Sequence, residues 1–343
     1  MGRYIIRRLV QAVPLLFVIS LMLFVMMSEM GDPLATFGGR SVIKSGDRMR
    51  LTRQLGLDKP IYVQYAVWLV GNDWMKLDLN GDGVAESPGT RKGVLRGDLG
   101  TSFVTRRPVL EMIGERLPNT LLLMLTSELI ILLVSVAVGL ISALKQYSLF
   151  DHTVTMLSFI GYSMPLPLLA LGLIYIFAVN MKRWGLPYLP TGGMFEPSAG
   201  RSLWQTLWHM VLPVATLSIV SVAAYSRYVR ANMLEVLGQD YIRTAHAKGL
   251  RTPQVVFVHA LKNAAMPLVT VVGMDLPFLL AGAVVTELIF AWPGMGRLFF
   301  DHTERSDFPV LMGILMIISL AVVVFQIITD VVYTFLDPRI RYN

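Results

Sequence analysis

Cysteine is absent from the 343 residues. Disulfides, thiolate metal sites and cysteine nucleophiles are excluded with it. Charge is scarce: Asp, Glu, Lys and Arg make up 15% of the chain, against roughly 25% in a soluble globular protein. No Gly is followed by Lys. The Gly-x-x-x-x-Gly-Lys-Ser/Thr loop that cradles nucleotide phosphates is therefore missing, and this chain cannot hydrolyse ATP in that manner. His-Glu-x-x-His and Gly-x-Ser-x-Gly are missing too, which removes two common hydrolase signatures. The five histidines (His152, His209, His246, His259 and His302) fall at the edges of loops and apolar runs. They read as interface or capping side chains rather than ligands. There is no internal repeat and no low-complexity stretch.

What the chain has is apolar length. Hydrophobic residues make up 54%, and mean hydropathy is +0.59. Six runs approach the ~20 residues that a bilayer crossing requires: Leu9–Met27, Leu121–Leu144, Val154–Val179, Met210–Tyr225, Pro267–Phe290 and Val310–Leu336. The fold class expected is an all-α integral membrane protein with six transmembrane helices. Arg3, Arg7 and Arg8 precede the first run as in a signal peptide. The run exceeds the roughly 7–15 residues of an h-region, and no small-x-small cleavage site follows, so it reads as an uncleaved span.

The formal net charge is +7. Lys and Arg concentrate in alternate loops, including Lys145, Arg227, Arg230, Arg243, Lys248 and Arg251. Membrane topology explains that pattern, and no nucleic-acid partner is implied. By the positive-inside rule these loops and both termini are cytoplasmic. Three regions follow: residues 1–30 with the first span, a 31–118 extracytoplasmic loop domain, and a 119–343 five-helix core that includes a cytoplasmic loop at 227–266. The 31–118 segment is too long for a mere connection. Apolar helical spacing at Ile61, Tyr65, Trp68 and Leu69 predicts a small helical cap.

The stretch Asn232–Pro267 is polar, basic and helix-prone between two apolar runs. The fourth helix is expected to continue to Leu237 and stop at a left-handed Gly238. Asp240 is expected to N-cap a short helix Tyr241–Lys248 ending at Gly249. Thr252 would cap the next helix, with Pro253 at its first position. A helix so short is unstable alone and must pack on something. That is either its own protein or a partner.

Several motifs carry a resemblance. Asp240-Tyr241-Ile242-Arg243-Thr244-Ala245-His246-Ala247-Lys248-Gly249 is similar to the cytoplasmic loop of permease subunits of ATP-binding-cassette (ABC) importers. That loop carries Glu-Ala-Ala, three residues, then Gly; here Arg243 and Thr244 replace the first two, while Ala245 and Gly249 remain. The family's later Ile-x-Leu-Pro is altered to His259-Ala260-Leu261-Lys262-Asn263. These departures resemble the dipeptide, oligopeptide and nickel branch. Arg3-Tyr4-Ile5-Ile6-Arg7-Arg8-Leu9, Gly31-Asp32-Pro33, Gly97-Asp98-Leu99-Gly100-Thr101-Ser102, Glu115-Arg116-Leu117-Pro118-Asn119-Thr120, Glu287 to Gly296 and Asp337-Pro338-Arg339 match the same branch. The likeness is strongest to the first of its two permeases, which carries the large outer loop.

The resemblance implies type I importer architecture in a bacterial or archaeal cytoplasmic (inner) membrane. It implies a second permease subunit, two ABC ATPase subunits, an extracytoplasmic solute-binding protein, and lipid around the spans. Peptides or peptide-like solutes would move inward by alternating access, with no catalysis by this chain. The short helix would be the coupling helix, with Asp240, Tyr241, Arg243, Thr244, Ala245, His246, Lys248 and Gly249 facing an ATPase. Small Ala245 and Gly249 would admit the partner closely. Trp292-Pro293-Gly294 would shape the outer loop after the fifth span.

Two carboxylates lie at membrane depth. Glu128 is about nine residues into the second span, ~13 Å along a helix, and Asp275 lies inside the fifth. Each could line a polar passage or hydrogen-bond a neighbouring helix. Glu287, near a span end, needs less explanation. The rival class is an ion-coupled secondary carrier that would use these carboxylates. Pro165 and Pro167 are expected to kink the third span. Finally, Trp74–Leu95 resembles an insertion, and Asp78, Asn80, Asp82 and Glu86 in it have the spacing of an incomplete calcium loop. A polar turn is the alternative.

Overall fold

In hydrocarbon every backbone polar group must be satisfied within the chain, and apolar runs of this length do so as helices. The computed structural model describes residues 2–29, 34, 45–78 and 84–336. The first elements are α1 (Gly2–Glu29), α2 (Ser45–Leu55), α3 (Ile61–Val70), and a two-residue antiparallel ribbon of β1 (Lys76–Leu77) and β2 (Ser87–Pro88). Next come α4 (Val109–Leu144), α5 (Leu149–Ser163), α6 (Leu166–Leu173), α7 (Met181–Arg183) and α8 (Leu203–Leu237). The chain then forms α9 (Asp240–Ala247), α10 (Thr252–Gln254), α11 (Leu261–Ala264), α12 (Met266–Ile289), α13 (Met295–Thr303) and α14 (Phe308–Leu336). π-Helical turns at Ile174–Asn180 and Val255–Ala260 join α6 to α7 and α10 to α11.

Among the described residues, five helical stretches are long and apolar enough to cross a membrane: Ile6–Glu29, Val109–Leu144, Leu166–Arg183, Leu203–Leu237 and Phe308–Val332. A sixth comes from Thr252–Ala264 taken with Pro267–Leu276, a pair bent by 49°. The third span differs from the continuous Val154–Val179 run read in the sequence. α5 ends at Ser163, and Met164 is extended at φ −82°, ψ 125°. Pro165 excludes the α conformation from the residue before it and offers no N–H to continue the ladder. The helix restarts after it as α6, with Pro167 in the first turn, so the expected kink is a full break. α8 is much longer than the Met210–Tyr225 core and ends at Leu237 as expected.

Two compact units divide the chain: Met1–Pro118 with Arg297–Val323, and Asn119–Gly296 with Val324–Asn343. In the first, α3 packs on α1. Tyr65 and Trp68 are buried, and the Tyr65 ring meets Phe17 and Phe24 edge-on. Its hydroxyl lies 2.7 Å from Ser20 Oγ, which gives the aromatic cluster a polar tether. Ile61, assigned to the same face, is 39% exposed. A second anchor in this unit is Asp307, fully buried just before α14. It accepts from Ser102 Oγ at 2.5 Å, the Phe103 amide at 2.9 Å and His302 Nδ1 at 2.9 Å. The motif at Gly97–Ser102 is thereby tied to the start of the last span.

In the second unit the largest apolar cluster gathers Ile131, Leu140, Tyr225, Val229, Met233, Ile242 and Val255, among others. α5 is fastened to α8 by charge. Arg230 Nε and Nη2 donate to the two oxygens of Asp151, each at 2.7 Å. That bidentate fork is the strong geometry for a guanidinium and a carboxylate. Arg227, one turn away, lies over the rings of Phe159 and Tyr162, with centroid distances of 4.9 and 5.3 Å.

Candidate functional site

α9 is amphipathic on the smallest scale. Only Ile242 and Ala245, three residues apart, are buried, and both join the large apolar cluster of the second unit. Asp240, Tyr241, Arg243, Thr244, His246, Lys248 and Gly249 are exposed. Tyr241 Oη accepts from Asn263 Nδ2 at 3.0 Å, which ties α9 to α11. Arg243 approaches Asp240 at 3.4 Å with both side chains mostly in solvent, a geometry that contributes little stability. The helix is thus held by one apolar stripe and presents a polar, largely basic face outward.

Four local expectations are corrected. Gly238 is right-handed at φ −78°, because the turn into α9 needs no left-handed residue there. Gln239, extended at φ −76°, ψ 149°, is the residue before the helix, and Asp240 is its first member. Arg251, not Thr252, occupies the corresponding place before α10. Ala245 faces its own protein, so its small size serves internal packing rather than a partner's approach. Gly249 is left-handed at φ +76°, and no heavy atom lies within 4 Å of an added Cβ. Backbone conformation alone favours glycine there.

At membrane depth the structure brings together what the sequence separated. Asp275 on α12 accepts from Tyr225 Oη on α8 at 2.8 Å. Glu128 on α4 is 6% exposed. Neither Glu128 oxygen has a hydrogen-bond partner among the described residues. Tyr225 was missed because a tyrosine in an apolar run carries no signal until the acid 50 residues away is placed beside it.

Glu287 is more important than its place near a span end implied. It is fully buried and accepts from Thr120 Oγ1 at 2.6 Å. Thr120 Oγ1 in turn accepts from the Met295 amide at 2.7 Å. Asn119 Nδ2 donates to Pro293 O, and Trp292 Nε1 donates to Asn119 O. Two of the motifs read in the sequence therefore interlock. Trp292 anchors this latch as a fully buried side chain.

Of the four proposed calcium donors, Asn80 and Asp82 lie outside the described residues; Asp78 and Glu86 flank them on either side. Among the described residues no group of three or more His, Asp or Glu side chains is gathered as for a metal. Ser102, His302 and Asp307 do meet, but Asp307 stands between the other two. Ser102 bonds to the carboxylate and not to the imidazole, so the serine–histidine contact of a nucleophile and its base is not formed among the described residues.

The chain is 40% identical over 344 residues to the oligopeptide transport system permease protein AppB of Bacillus subtilis, covering all of both chains. It is 35% identical over 365 residues to the dipeptide transport system permease protein DppB of Escherichia coli K12, again covering all of both. A chain of the methionine ABC transporter MetNI, solved in an inward-facing conformation, shares the fold at a TM-score of 0.52 and 16% identity, over 66% of this chain and 97% of that one. Residues 1–124 match the N-terminal family of binding-protein-dependent transport system membrane components. With residues 135–342 matching the main family model as well, the chain belongs to the inner membrane components of binding-protein-dependent transport systems.

Proposed function

We propose that the chain carries peptides or peptide-like solutes inward, as one of two permease subunits that enclose a single passage. Its family makes it a translocation subunit of an ABC importer and not an enzyme. ATP hydrolysis belongs to partner ATPases, and the ion-coupled carrier is set aside. The oligopeptide and dipeptide systems of its relatives support the choice of solute. A solute-binding protein delivers substrate on the outer side, where residues 31–118 form part of the docking surface. Both termini and α9 lie on the cytoplasmic side of a bacterial or archaeal inner membrane.

The observation that carries the mechanism is the two-sided character of α9. Ile242 and Ala245 key it into the bundle, while Arg243, Thr244, His246 and Lys248 remain exposed. Such a helix transmits displacement of a docked partner to α8 and the segment leading into α12. ATP binding draws two ATPase subunits together, the α9 helices move with them, and the passage turns outward. Release of the hydrolysis products reverses it. Because the chain has no cysteine, Arg243→Cys gives a unique thiol. In intact cells it is expected to cross-link to an ATPase subunit, and radiolabelled dipeptide uptake is expected to require ATP. Uptake that persists without ATP, or a thiol that captures no ATPase, overturns the proposal.

A further inference from the structure

The first unit contains a cavity of about 440 Å³, within the roughly 300–1,000 Å³ of small-molecule sites. Its walls come from the ends of two membrane-spanning helices. Phe24 and Met27 lie near the end of α1, and Phe308 and Met312 open α14. Trp68 of α3 and Leu55 of α2 continue the apolar lining. Between these walls stand two arginines, Arg48 and Arg91, with Asp98 as the one acid among the described lining residues. Arg91 is held by its backbone. Its carbonyl accepts from the Asn72 and Asp73 amides at 2.9 and 3.2 Å, and its amide donates to Asn72 Oδ1 at 3.0 Å. Its guanidinium forms no ion pair with any of the described residues, yet its nitrogens keep accessible surface. Loss of solvent pulls the Arg91 pKa down, and the charge of Asp98 opposes this without cancelling it. Both Asp98 oxygens are already engaged, by the Lys92 and Gly100 amides at 2.9 Å each. A guanidinium in this position calls for an anion.

The rest of the lining says which kind of anion. A free inorganic anion would leave the aromatic and aliphatic walls uncovered. A charged head joined to a hydrocarbon chain covers both parts. The span in α1 is only 11% buried, so the wall it supplies is continuous with a helix surface that lipid chains can reach. We propose that this cavity binds an anionic phospholipid, with its phosphate on Arg91 and one acyl chain along Phe24, Met27 and Met312. The planar fork of arginine donates two hydrogen bonds to a phosphate at once, and basic pockets beside spans suit lipid head groups. Arg48, in the same lining, adds positive charge. The lipid would fasten α1, α2 and α14 together where residues 31–118 leave the membrane. It is a resident of the protein, and the site stands whatever solute the chain carries.

The test uses the whole importer complex, delipidated in detergent, and reads its thermal unfolding midpoint against added lipid. Dioleoyl phosphatidylglycerol is the probe. Dioleoyl phosphatidylcholine controls for the chains, and glycerol 3-phosphate for the head alone. The expected result is a saturable rise with phosphatidylglycerol alone. Half-saturation should move upward about tenfold or more in Arg91→Gln, as loss of one charge-assisted hydrogen bond implies. Arg91→Lys keeps the charge and loses the fork, and should fall between. Arg50→Gln makes the same charge change on α2 outside the lining, and should leave half-saturation unmoved. No saturable rise, an equal response to either control, or unchanged half-saturation in Arg91→Gln overturns the site. A phosphatidylglycerol with a diazirine in its acyl chain reports on the wild-type complex even if the Arg91 variants fail to assemble. Its labels are expected on residues 24–27 and 308–312, and labelling confined to other segments overturns the site. Displacement of the label by the solute-binding protein would assign the cavity to a protein segment and overturn the lipid.

Discussion

Glu287 and Thr120, 167 residues apart in the chain, are joined by a hydrogen bond of 2.6 Å inside a fully buried latch. Gly294 closes over it so tightly that an added Cβ would stand 2.1 Å from Glu287 Oε1. Gly294→Ala is therefore expected to destabilise the protein by about 1–3 kcal/mol, the range for overpacking. Thr120→Val keeps the shape, removes a donor to Glu287 and takes the acceptor from Met295, at a cost of about 1–3 kcal/mol. The two substitutions act on one network, so their effects should fail to add. Unfolding midpoints of both single variants and the double variant in detergent check this. Additive losses would show that the latch is not one unit.

That latch also shows what was legible beforehand. The segments at Asn119-Thr120 and Glu287 to Gly296 stood out as motifs, but nothing local said that they meet. Contacts such as Tyr225 with Asp275 and Ser102 with Asp307 are long-range in the same way. Features set by local chemistry were read more fully: the apolar runs, the short helix between Leu237 and Gly249, and its stop at Gly249, although the left-handed residue was expected at Gly238 and is found at Gly249. Errors of one residue at Asp240 and Thr252 have a shared cause. Gln239 and Arg251 already adopt the extended backbone that precedes a helix, and backbone geometry there does not require a capping side chain. Break and kink at Pro165 could not be told apart by sequence, because the outcome depends on whether neighbouring groups satisfy the freed carbonyls.

Gly249 gives a test in which side-chain bulk and backbone conformation separate. Open space surrounds it, so only its φ of +76° excludes other residues. Asn visits that region at low cost and a β-branched residue does not. Gly249→Val is expected to cut peptide uptake about tenfold or more, as strain of ~1–2 kcal/mol per residue implies, while ATP hydrolysis continues uncoupled. Gly249→Asn should stay close to the wild type. Normal uptake by Gly249→Val would remove α9 from the coupling path.

Arg230 and Asp151 fix the start of α5 against α8. The Arg230 hydrogen bonds push the Asp151 carboxyl down to about 2, with the Tyr147 amide assisting. A depressed acid contributes stability that is fully present above its unfolded value of ~3.9 and is lost as pH falls through the folded value. The pair should therefore hold throughout neutral pH and weaken only below about pH 4. Arg230→Ala strands a buried carboxylate and is expected to cost about 3 kcal/mol. Arg230→Lys keeps the charge and loses the fork, and should fall between. Melting curves from about pH 1.5 to pH 7 should show the acid step in the wild type and its loss in Asp151→Asn.

Asp307 is the corresponding anchor of the first unit, and its balance is closer. Burial pushes its carboxyl up, but hydrogen bonds from His302, Ser102 and the Phe103 amide outweigh this and hold it below the usual carboxylate range. The sign is that of Asp151: the stabilisation is present at neutral pH and disappears as acid protonates Asp307. Ser102→Ala removes one donor and should cost about 1–2 kcal/mol. It should also move the acid transition toward higher pH, because one of the forces holding the proton off is gone. His302→Gln keeps a donor without the imidazole's capacity for charge, and should shift the transition less than His302→Leu. Limited proteolysis of the outer loop as a function of pH reads this directly, since Ser102 and Phe103 are what Asp307 holds in place. An acid transition unmoved by Ser102→Ala and by both His302 variants would show that Asp307 is fixed by packing rather than by this network.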